Sequence, residues 1–165
     1  MSQSDSLIAL FDGLKARSPS GFAIGLHLDY TTSKYIFQAY SREWMEEYSR
    51  KGFLLSDPTV RWGLENSGSI RWSELEKADP VGVIAAAKSF GLDYGVTVVV
   101  GDEGSRSLGS FASTESEFSQ GAIDFFIQRL SEMHELAADI ELESNDDKRV
   151  KKFAASLSGV GFHDL

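Results

Sequence analysis

The sequence YGVTVVVGDEGSRSLGSFAST, residues 94–114, predicts a β-hairpin. Two β-rich arms flank the turn-forming run Gly101-Asp102-Glu103-Gly104, and the apolar stretch from Val96 to Val100 predicts a core strand. Upstream, the apolar, β-rich runs GFAIGLHLD (21–29) and KYIFQAYS (34–41) are joined by the polar segment Tyr30-Thr31-Thr32-Ser33 and predict a second hairpin. Two such hairpins indicate an antiparallel sheet.

Helical patterns surround both hairpins. Apolar residues at helical spacing predict a first helix over residues 5–17, capped by Asp5 or Ser4. A brief strand is predicted over residues 69–72, and further helices are predicted over 42–52, from Asp57-Pro58 through about Leu64, over 79–91, and from Glu115 to about Glu143. This order of elements predicts an α+β domain in which helices cover both faces of an antiparallel sheet.

Composition narrows the class of protein. The 165-residue chain has 42% hydrophobic and 25% charged residues, which fits one globular domain and excludes a disordered or fibrous protein. No apolar run reaches the length of a membrane span, and the N-terminal sequence lacks the features of a signal peptide, so we expect a cytoplasmic protein. The absence of cysteine excludes disulfides, thiolate zinc sites and cysteine nucleophiles. The net charge of −9 opposes DNA binding by this chain alone, because DNA phosphates are neutralised by Lys and Arg.

The sequence contains no pattern typical of an enzyme or of a metal site. His27, His134 and His163 stand in separate predicted elements, and none has a neighbour at metal-ligand spacing. A nucleophile elbow and a phosphate-binding glycine loop are both missing. We therefore predict no catalytic residues, no metal site and no enzymatic activity.

Aromatic residues recur between Tyr40 and Trp72. Tyr40, Trp44 and Tyr48 are spaced four residues apart, so they share one helical face, and Asp57-Pro58-Thr59 follows after a short loop. Aromatic rings with a few fixed hydrogen-bonding groups are typical of a site for a small, partly apolar ligand. The same pattern fits an ordinary core in which Asp57 only caps a helix, although the N–H and O–H groups of Trp and Tyr favour a pocket over a dry core.

The residues Tyr40, Trp44, Tyr48, Asp57-Pro58 and Trp72, with Phe90-Gly91-Leu92 ahead of Tyr94-Gly95-Val96-Thr97, resemble the autoinducer-binding domain of LuxR-type quorum-sensing regulators. The resemblance covers roughly residues 20–143. It implies an α/β/α sandwich with a central, mainly five-stranded antiparallel sheet flanked by helices. It also implies that the ligand is an N-acyl-homoserine lactone, held between the sheet and the middle helices, with no cofactor.

The resemblance implies a role for each candidate ligand-binding residue: Tyr40, Trp44, Tyr48, Asp57, Thr59, Trp72 and Ser110. Trp44 is expected to donate its indole N–H to the lactone carbonyl, and Asp57 to accept from the amide N–H. Tyr40 is expected to meet the acyl amide carbonyl, and Ser110 or Thr59 the same carbonyl or a group at the 3-position. Tyr48 and Trp72 are expected to line the acyl chain and the lactone ring respectively. A buried carboxylate is costly without hydrogen-bond partners, which supports the role given to Asp57.

On this resemblance, residues 1–145 form the autoinducer-binding domain, residues 146–165 form a C-terminal linker or tail, and a helix-turn-helix domain is absent. The predicted function is a ligand-sensing domain of a quorum-sensing transcription regulator. The alternative is a DNA-binding-deficient family member that heterodimerises with a full-length regulator and inhibits it. The expected partners are the lactone and a second regulator chain, in a homodimer or heterodimer, without nucleic acid or membrane. Gly25 and Val83 are small where relatives carry larger residues, which predicts a longer or wider acyl channel.

Overall fold

The computed structural model describes residues 1–29 and 32–158 of the chain. Within these residues, five strands form one antiparallel sheet: β1 (Gly21–Asp29), β2 (Thr32–Gln38), β3 (Gly68–Arg71), β4 (Tyr94–Asp102) and β5 (Ser105–Ser113). Their spatial order is β2-β1-β5-β4-β3, so β2 and β3 lie at the edges. The predicted α+β fold with a five-stranded antiparallel sheet is confirmed.

Both hairpins expected from the sequence are present. Strands β4 and β5 pair from Tyr94↔Ser113 to Asp102↔Ser105, so only Glu103 and Gly104 remain in the turn. Gly104 has a φ of 91°, a left-handed conformation that favours glycine in a tight hairpin. In the first hairpin β1 pairs with β2, while the turn residues Tyr30 and Thr31 lie outside the described residues.

The α-helices of the described chain are α1 (Gln3–Ala9), α2 (Leu14–Arg17), α3 (Arg42–Arg50), α4 (Pro58–Glu65), α5 (Val83–Lys88), α6 (Gln120–Ala138) and α7 (Asn145–Ser158). Short 3₁₀ helices cover Phe53–Ser56 and Trp72–Ala78. None of the helices in this part of the chain is long and apolar enough to cross a membrane.

The first helix differs from its prediction. The segment expected as one helix over residues 5–17 is divided by Gly13, whose φ of 81° interrupts the helical backbone. The cap is Ser2 rather than Asp5 or Ser4: the Ser2 hydroxyl accepts from the Asp5 N–H, and the Asp5 carboxylate accepts from the Ser2 N–H. Asp5 therefore occupies the third helical position of a capping box.

Helix α5 begins later than its Asp-Pro signal predicts. Asp79 accepts hydrogen bonds from the N–H groups of Val83 and Ile84, both at 2.8 Å, so its carboxylate does satisfy the helix start. Gly82, with a φ of 83°, occupies the capping backbone position. The chain between Asp79 and Gly82 is thus a turn that leads into the helix.

One face of the sheet packs against α1, α6 and α7. Alternate strand residues point to this face, among them Phe22, Ile24, Phe37, Val98 and Phe111. The Phe111 ring stacks on that of Phe126 from α6, with the ring centroids 3.9 Å apart. Both rings are almost completely buried, so this contact joins the sheet to α6. The buried apolar residues between this face and the three helices form the first core layer.

Helix α7 occupies most of residues 146–165, the segment predicted from the sequence to be a linker or tail. Val150 is fully buried against the first core layer, and the Tyr35 hydroxyl donates to the Asp147 carboxylate at 2.6 Å. Lys34, also on β2, donates to the backbone oxygens of Ala137 and Ile140 where α6 ends. The chain is therefore packed through Ser158, and residues 159–165 lie outside the described residues.

The opposite face of the sheet carries the intervening strand residues, which include Ala23, Gly25, Ile36, Thr97 and Ser110. It is covered by α3, α4, α5 and the two 3₁₀ helices, which supply Trp44, Phe53, Trp72, Leu75, Val83, Ile84 and Ala87 to a second core cluster. Small and polar residues are thus concentrated on this face, whereas phenylalanine and valine dominate the other.

Two histidines stack at the end of the sheet. The pairing register of β1 shifts between Gly25 and Leu28, and His27 in this bulge has a φ of 54°. Its ring lies 4.1 Å from that of His134 on α6, and its Nε2 donates to the His134 backbone oxygen at 2.7 Å. Burial, followed by the neighbouring His27, lowers the pKa of His134 from its usual 6.5. The stack therefore favours neutral His134.

We expect His134 to make the protein less stable in mild acid. A histidine whose pKa is lower in the folded state takes up its proton more readily after unfolding, so stability falls as pH drops through about 6.5. The free energy of unfolding, measured with urea between pH 7 and 5, should therefore fall less steeply with pH for His134→Asn than for the wild type. The variant retains an acceptor for the Ser107 hydroxyl, which lies 2.6 Å from His134 Nδ1. Parallel pH profiles for the two proteins would contradict this expectation.

Candidate ligand-binding site

Helix α3 presents an aromatic stripe to the second face of the sheet. Its N-terminus is capped by Ser41, whose hydroxyl accepts from the Trp44 backbone N–H at 3.2 Å. Trp44 and Tyr48 follow one turn apart with their ring centroids separated by 5.7 Å, and Tyr40 lies just before the helix. The spacing of four residues thus places three polar aromatic side chains along one wall.

Asp57 links this stripe to helix α4. One carboxylate oxygen, Oδ1, accepts from the Thr59 N–H at 2.9 Å and from the Thr59 hydroxyl at 2.7 Å. The other, Oδ2, accepts from the Tyr48 hydroxyl at 2.8 Å. Burial raises the pKa of Asp57, and burial together with the Asp57 charge raises the pKa of Tyr48. Tyr48 therefore stays protonated and acts as a donor to Asp57.

Trp72 lies flat against strand β4. Its indole Nε1–H donates to the Thr97 hydroxyl at 3.0 Å, and its ring covers Gly95, where a Cβ atom would lie 2.0 Å from the ring. The Thr97 hydroxyl is also 2.7 Å from that of Ser110, its direct partner across β4 and β5. Glycine at position 95 is thus required by the close approach of the Trp72 ring.

A cavity of about 210 Å³ lies between the sheet and these helices. The residues expected from the sequence to bind a ligand all line it: Tyr40, Trp44, Tyr48, Asp57, Thr59, Trp72 and Ser110. Gly25 and Val83, expected to border an acyl channel, line it too. The structure brings the predicted residues to one cavity, and their contacts with a ligand remain a prediction.

The polar groups of the cavity differ in whether they already have partners. Tyr48 and Trp72, expected only to line the ligand, each donate a hydrogen bond to the protein. The Tyr40 hydroxyl donates to the Ser110 backbone oxygen at 3.3 Å, which is long for a hydroxyl donor. Within residues 1–29 and 32–158, the Trp44 indole N–H has no hydrogen-bond partner. Trp44 and Tyr40 are therefore the aromatic donors available to a ligand.

The rest of the wall, which is mostly apolar, was not predicted from the sequence: Ala23, Ile24, Leu28, Ser33, Ile36, Gln38, Met45, Leu54, Val60, Ile84, Ala87 and Leu108. Part of this wall follows from strand alternation, because Ile36 and Gln38 share the face of Ala23 and Gly25 in the β1–β2 register. Ile36 and Leu54 are 67% and 44% exposed, which marks where the cavity meets solvent.

Residues 20–139 match the family model of the autoinducer binding domain. The chain belongs to this family. Autoinducer-binding domains occur in ligand-binding transcriptional regulators, and the prediction of a small-molecule sensing domain that is not an enzyme is confirmed. The predicted LuxR-type resemblance is likewise confirmed.

Individual relatives match a smaller part of the chain than the family model does. The transcriptional activator SolR of Ralstonia nicotianae is 41% identical over 61 residues, a match that spans 37% of this chain and 26% of SolR. The chain thus matches only a minor part of that protein's length.

Two solved structures share the fold of this autoinducer-binding domain. Escherichia coli SdiA, in complex with octanoyl-rac-glycerol, superposes with a TM-score of 0.60 at 19% identity, over 83% of this chain and 59% of SdiA. CepR2 of Burkholderia cenocepacia, described as an N-acylhomoserine lactone dependent LuxR family transcription factor, gives 0.54 at 16% identity, over 84% and 95% of the two chains.

Proposed function

We propose that the cavity binds an N-acyl-homoserine lactone and that the chain is the sensing domain of a quorum-sensing transcription regulator. The observation that carries the proposal is the pairing of one half-buried carboxylate, Asp57, with unpartnered or weakly partnered donors on a mostly apolar wall. An N-acyl-homoserine lactone offers the complement: one amide N–H, two carbonyl oxygens close to it, and an apolar tail.

Asp57 is the proposed acceptor for the amide N–H. Its two oxygens accept from Tyr48 and Thr59, yet burial still raises its pKa, so the charged form is incompletely compensated. An additional N–H donor would lower that cost, because hydrogen bonds to a charged group are about twice as strong as those between neutral groups. A ligand with an amide N–H therefore suits Asp57 better than an ester does.

Trp44 is the proposed donor to the lactone carbonyl. Its indole is 3% exposed, and its N–H, which can only donate, has no acceptor within the described ranges. Tyr40, whose bond to the Ser110 backbone is long, is the proposed donor to the amide carbonyl. Trp44 lies on α3 and Tyr40 just before it, and the Tyr40 hydroxyl reaches the backbone of Ser110 on the sheet.

The rest of the wall fits an acyl chain. Val83, Ile84, Leu108 and Met45 line the cavity without offering a charged group. Its volume of about 210 Å³ is below the roughly 300–1,000 Å³ of typical ligand pockets, so a long chain reaches the exposed mouth at Ile36 and Leu54. The acylated ligand of SdiA and the lactone dependence of CepR2 support an acyl ligand at this site.

The test is ligand-dependent thermal stability. A ligand that binds only the folded chain at ten times its Kd adds about 1.4 kcal/mol, which raises the melting temperature by about 3–6 °C in a chain of this size. We expect this rise for at least one lactone in a series from C4 to C18, with and without a 3-oxo group. Octanoyl-rac-glycerol serves as the comparator without an amide. A rise for the glycerol ester alone, or no rise at all, would overturn the proposal.

Val83→Phe should weaken long-chain lactones selectively. We expect wild-type affinity to increase with chain length to about C10 or beyond, since each buried methylene contributes about 0.8 kcal/mol. The larger ring would occupy cavity volume that the methylenes of a long chain need, while short ligands would still fit. Calorimetry with a chain-length series measures this, and unfolding of the unliganded variant controls for overpacking. Equal losses for short and long chains, or a wild-type preference for C4 or C6, would show that Val83 does not limit the tail.

A further inference from the structure

Thr97 lies in the sheet directly beneath the cavity. It is fully buried, and it interrupts the apolar strand Val96–Val100 with a hydroxyl group. It pairs directly with Ser110 in the register of β4 and β5, so both side chains point to the same face. The residues that line the cavity do not include Thr97, but they do include both of its side-chain hydrogen-bond partners, Trp72 and Ser110.

The direction of those hydrogen bonds is fixed at one end. The Trp72 indole nitrogen carries a hydrogen and can only donate, so Thr97 Oγ1 is the acceptor in the 3.0 Å contact between them. Thr97 Oγ1 then retains its own hydroxyl proton. The Ser110 hydroxyl oxygen, at 2.7 Å, is the neighbouring side-chain oxygen that can receive it.

The opposite direction would leave a buried proton without an acceptor. If Ser110 donated to Thr97, the Thr97 oxygen would accept twice, and its proton would have no side-chain acceptor within residues 1–29 and 32–158. An unsatisfied buried hydroxyl is costly, and Thr97 is fully buried. Hydrogen bonds in a chain also strengthen one another when they run in one direction. The favoured order is therefore Trp72 to Thr97 to Ser110.

In this order the Ser110 proton points away from Thr97. Ser110 lines the cavity, is 5% exposed, and has no other side-chain acceptor within the described ranges. The cavity thus contains a hydroxyl whose oxygen is already engaged and whose proton is available. Such a group selects for an acceptor on the ligand.

We propose that Thr97 is a positioning residue that holds the Ser110 hydroxyl as a donor to a carbonyl oxygen of the ligand. The inference rests on the proposed function, because the ligand must supply the carbonyl. In an N-acyl-homoserine lactone that oxygen belongs either to the amide or to a 3-oxo group. Both sources present the same chemistry, a carbonyl acceptor, to Ser110.

The experiment compares Thr97→Val, which has nearly the same shape but no hydroxyl, with Thr97→Ser, which keeps the hydroxyl. Calorimetry uses a pair of lactones of equal chain length, with and without the 3-oxo group. We expect Thr97→Val to weaken binding roughly threefold to tenfold, the range of one neutral hydrogen bond, and Thr97→Ser to bind like the wild type. A loss limited to the 3-oxo ligand identifies that group as the acceptor, and an equal loss for both identifies the amide carbonyl.

A double-mutant cycle separates positioning from a structural role. In a Ser110→Ala background, Thr97→Val should cause no further loss, because the hydroxyl it positions is absent. If Thr97 only supported Trp72, its loss would persist in that background. Persistence, or failure of Thr97→Ser to restore binding, would overturn the proposal.

Two further outcomes are decisive. Should Thr97→Val unfold, Trp72→Phe removes the donor that sets the direction while keeping both hydroxyls. Its loss of affinity should then shrink in the Ser110→Ala background, and an undiminished loss would contradict the proposal. A wild-type chain that binds no lactone overturns the proposed function and this role together. If the wild type binds a lactone but the affinity losses of Thr97→Val and Ser110→Ala are additive, only the role of Thr97 is overturned.

Discussion

The Asp57→Asn variant is expected to bind N-acyl-homoserine lactones roughly tenfold to a hundredfold more weakly than the wild type. A hydrogen bond to a charged group contributes about 1.5–3 kcal/mol, and an amide in place of the carboxylate removes the charge that strengthens it. Asn is as good a helix cap as Asp, so helix α4 should keep its start. Isothermal titration calorimetry of the two proteins measures the change directly.

Thr59→Ala is the matched control for this prediction. Thr59 donates to Asp57 and lines the cavity, but it carries no charge, so its replacement should cost less affinity. The unliganded Asp57→Asn protein should also be at least as stable as the wild type near neutral pH. Because burial raises the pKa of Asp57, the folded state penalises its charged form, and a neutral side chain avoids that penalty. Equal lactone affinity for wild type and Asp57→Asn would show that Asp57 serves only as a cap.

Gly95→Ala is expected to destabilise the fold by about 1–3 kcal/mol, the usual cost of an extra methyl group in a packed core. The added Cβ would overlap three atoms of the Trp72 ring, which is 7% exposed and packs in the second core cluster. Displacement of the ring would also lengthen its hydrogen bond to Thr97. We therefore expect a melting temperature lower by several degrees and weaker lactone binding in the same variant.

Gly121→Ala provides the comparison for this prediction. Gly121 lies in the first turn of α6, and its nearest neighbour to an added Cβ is 3.8 Å away. Alanine in an unstrained helical position stabilises by about 0.4–1 kcal/mol through the unfolded state. Thermal unfolding of the two variants should therefore shift in opposite directions. A Gly95→Ala protein as stable as the wild type would mean that the Trp72 ring is not held against β4.

The parts of the fold that depend on residues adjacent in the sequence were predictable from it. The turn at Glu103 and Gly104 and the cap at Asp57 rely on local chemistry, which the sequence displays directly. The aromatic spacing from Tyr40 to Tyr48 likewise placed one wall of the cavity. The resemblance of these residues to a known family then predicted that the wall faces a ligand. The spacing alone left open whether the wall belongs to a pocket or to an ordinary core.

Helix α7 was missed because charge dominates its sequence. The run NDDKRVKK reads as a solvated segment, yet Asp146 and Asp147 in the first turn favour a helix start. Val150, Phe153 and Leu157 follow at spacings of three and four, a narrow stripe that packs on the first core layer. The interaction that fixes the helix, from Tyr35 to Asp147, joins residues 112 positions apart. No local signal contains that contact.

Thr97 was missed for a related reason. A single threonine in an apolar strand is unremarkable in sequence, since threonine favours β-strands. Its significance depends on the register that pairs it with Ser110 and on the approach of Trp72 from a 3₁₀ helix. The 3₁₀ helix, Trp72–Ala78, is too short to show a periodic pattern of apolar residues in the sequence. The hydroxyl pair therefore emerges only when three separate elements are placed together.

The two faces of strand β2 contact different parts of the protein. Tyr35 and Phe37 pack towards α7, whereas Ile36 and Gln38 border the cavity. Insertion or deletion of one residue within this strand would exchange the two sets at once, bringing aromatic rings into the cavity and an amide into the core. Length changes in β2 are thus far less tolerated than substitutions on either face, and variation in chain length among related domains should avoid this strand.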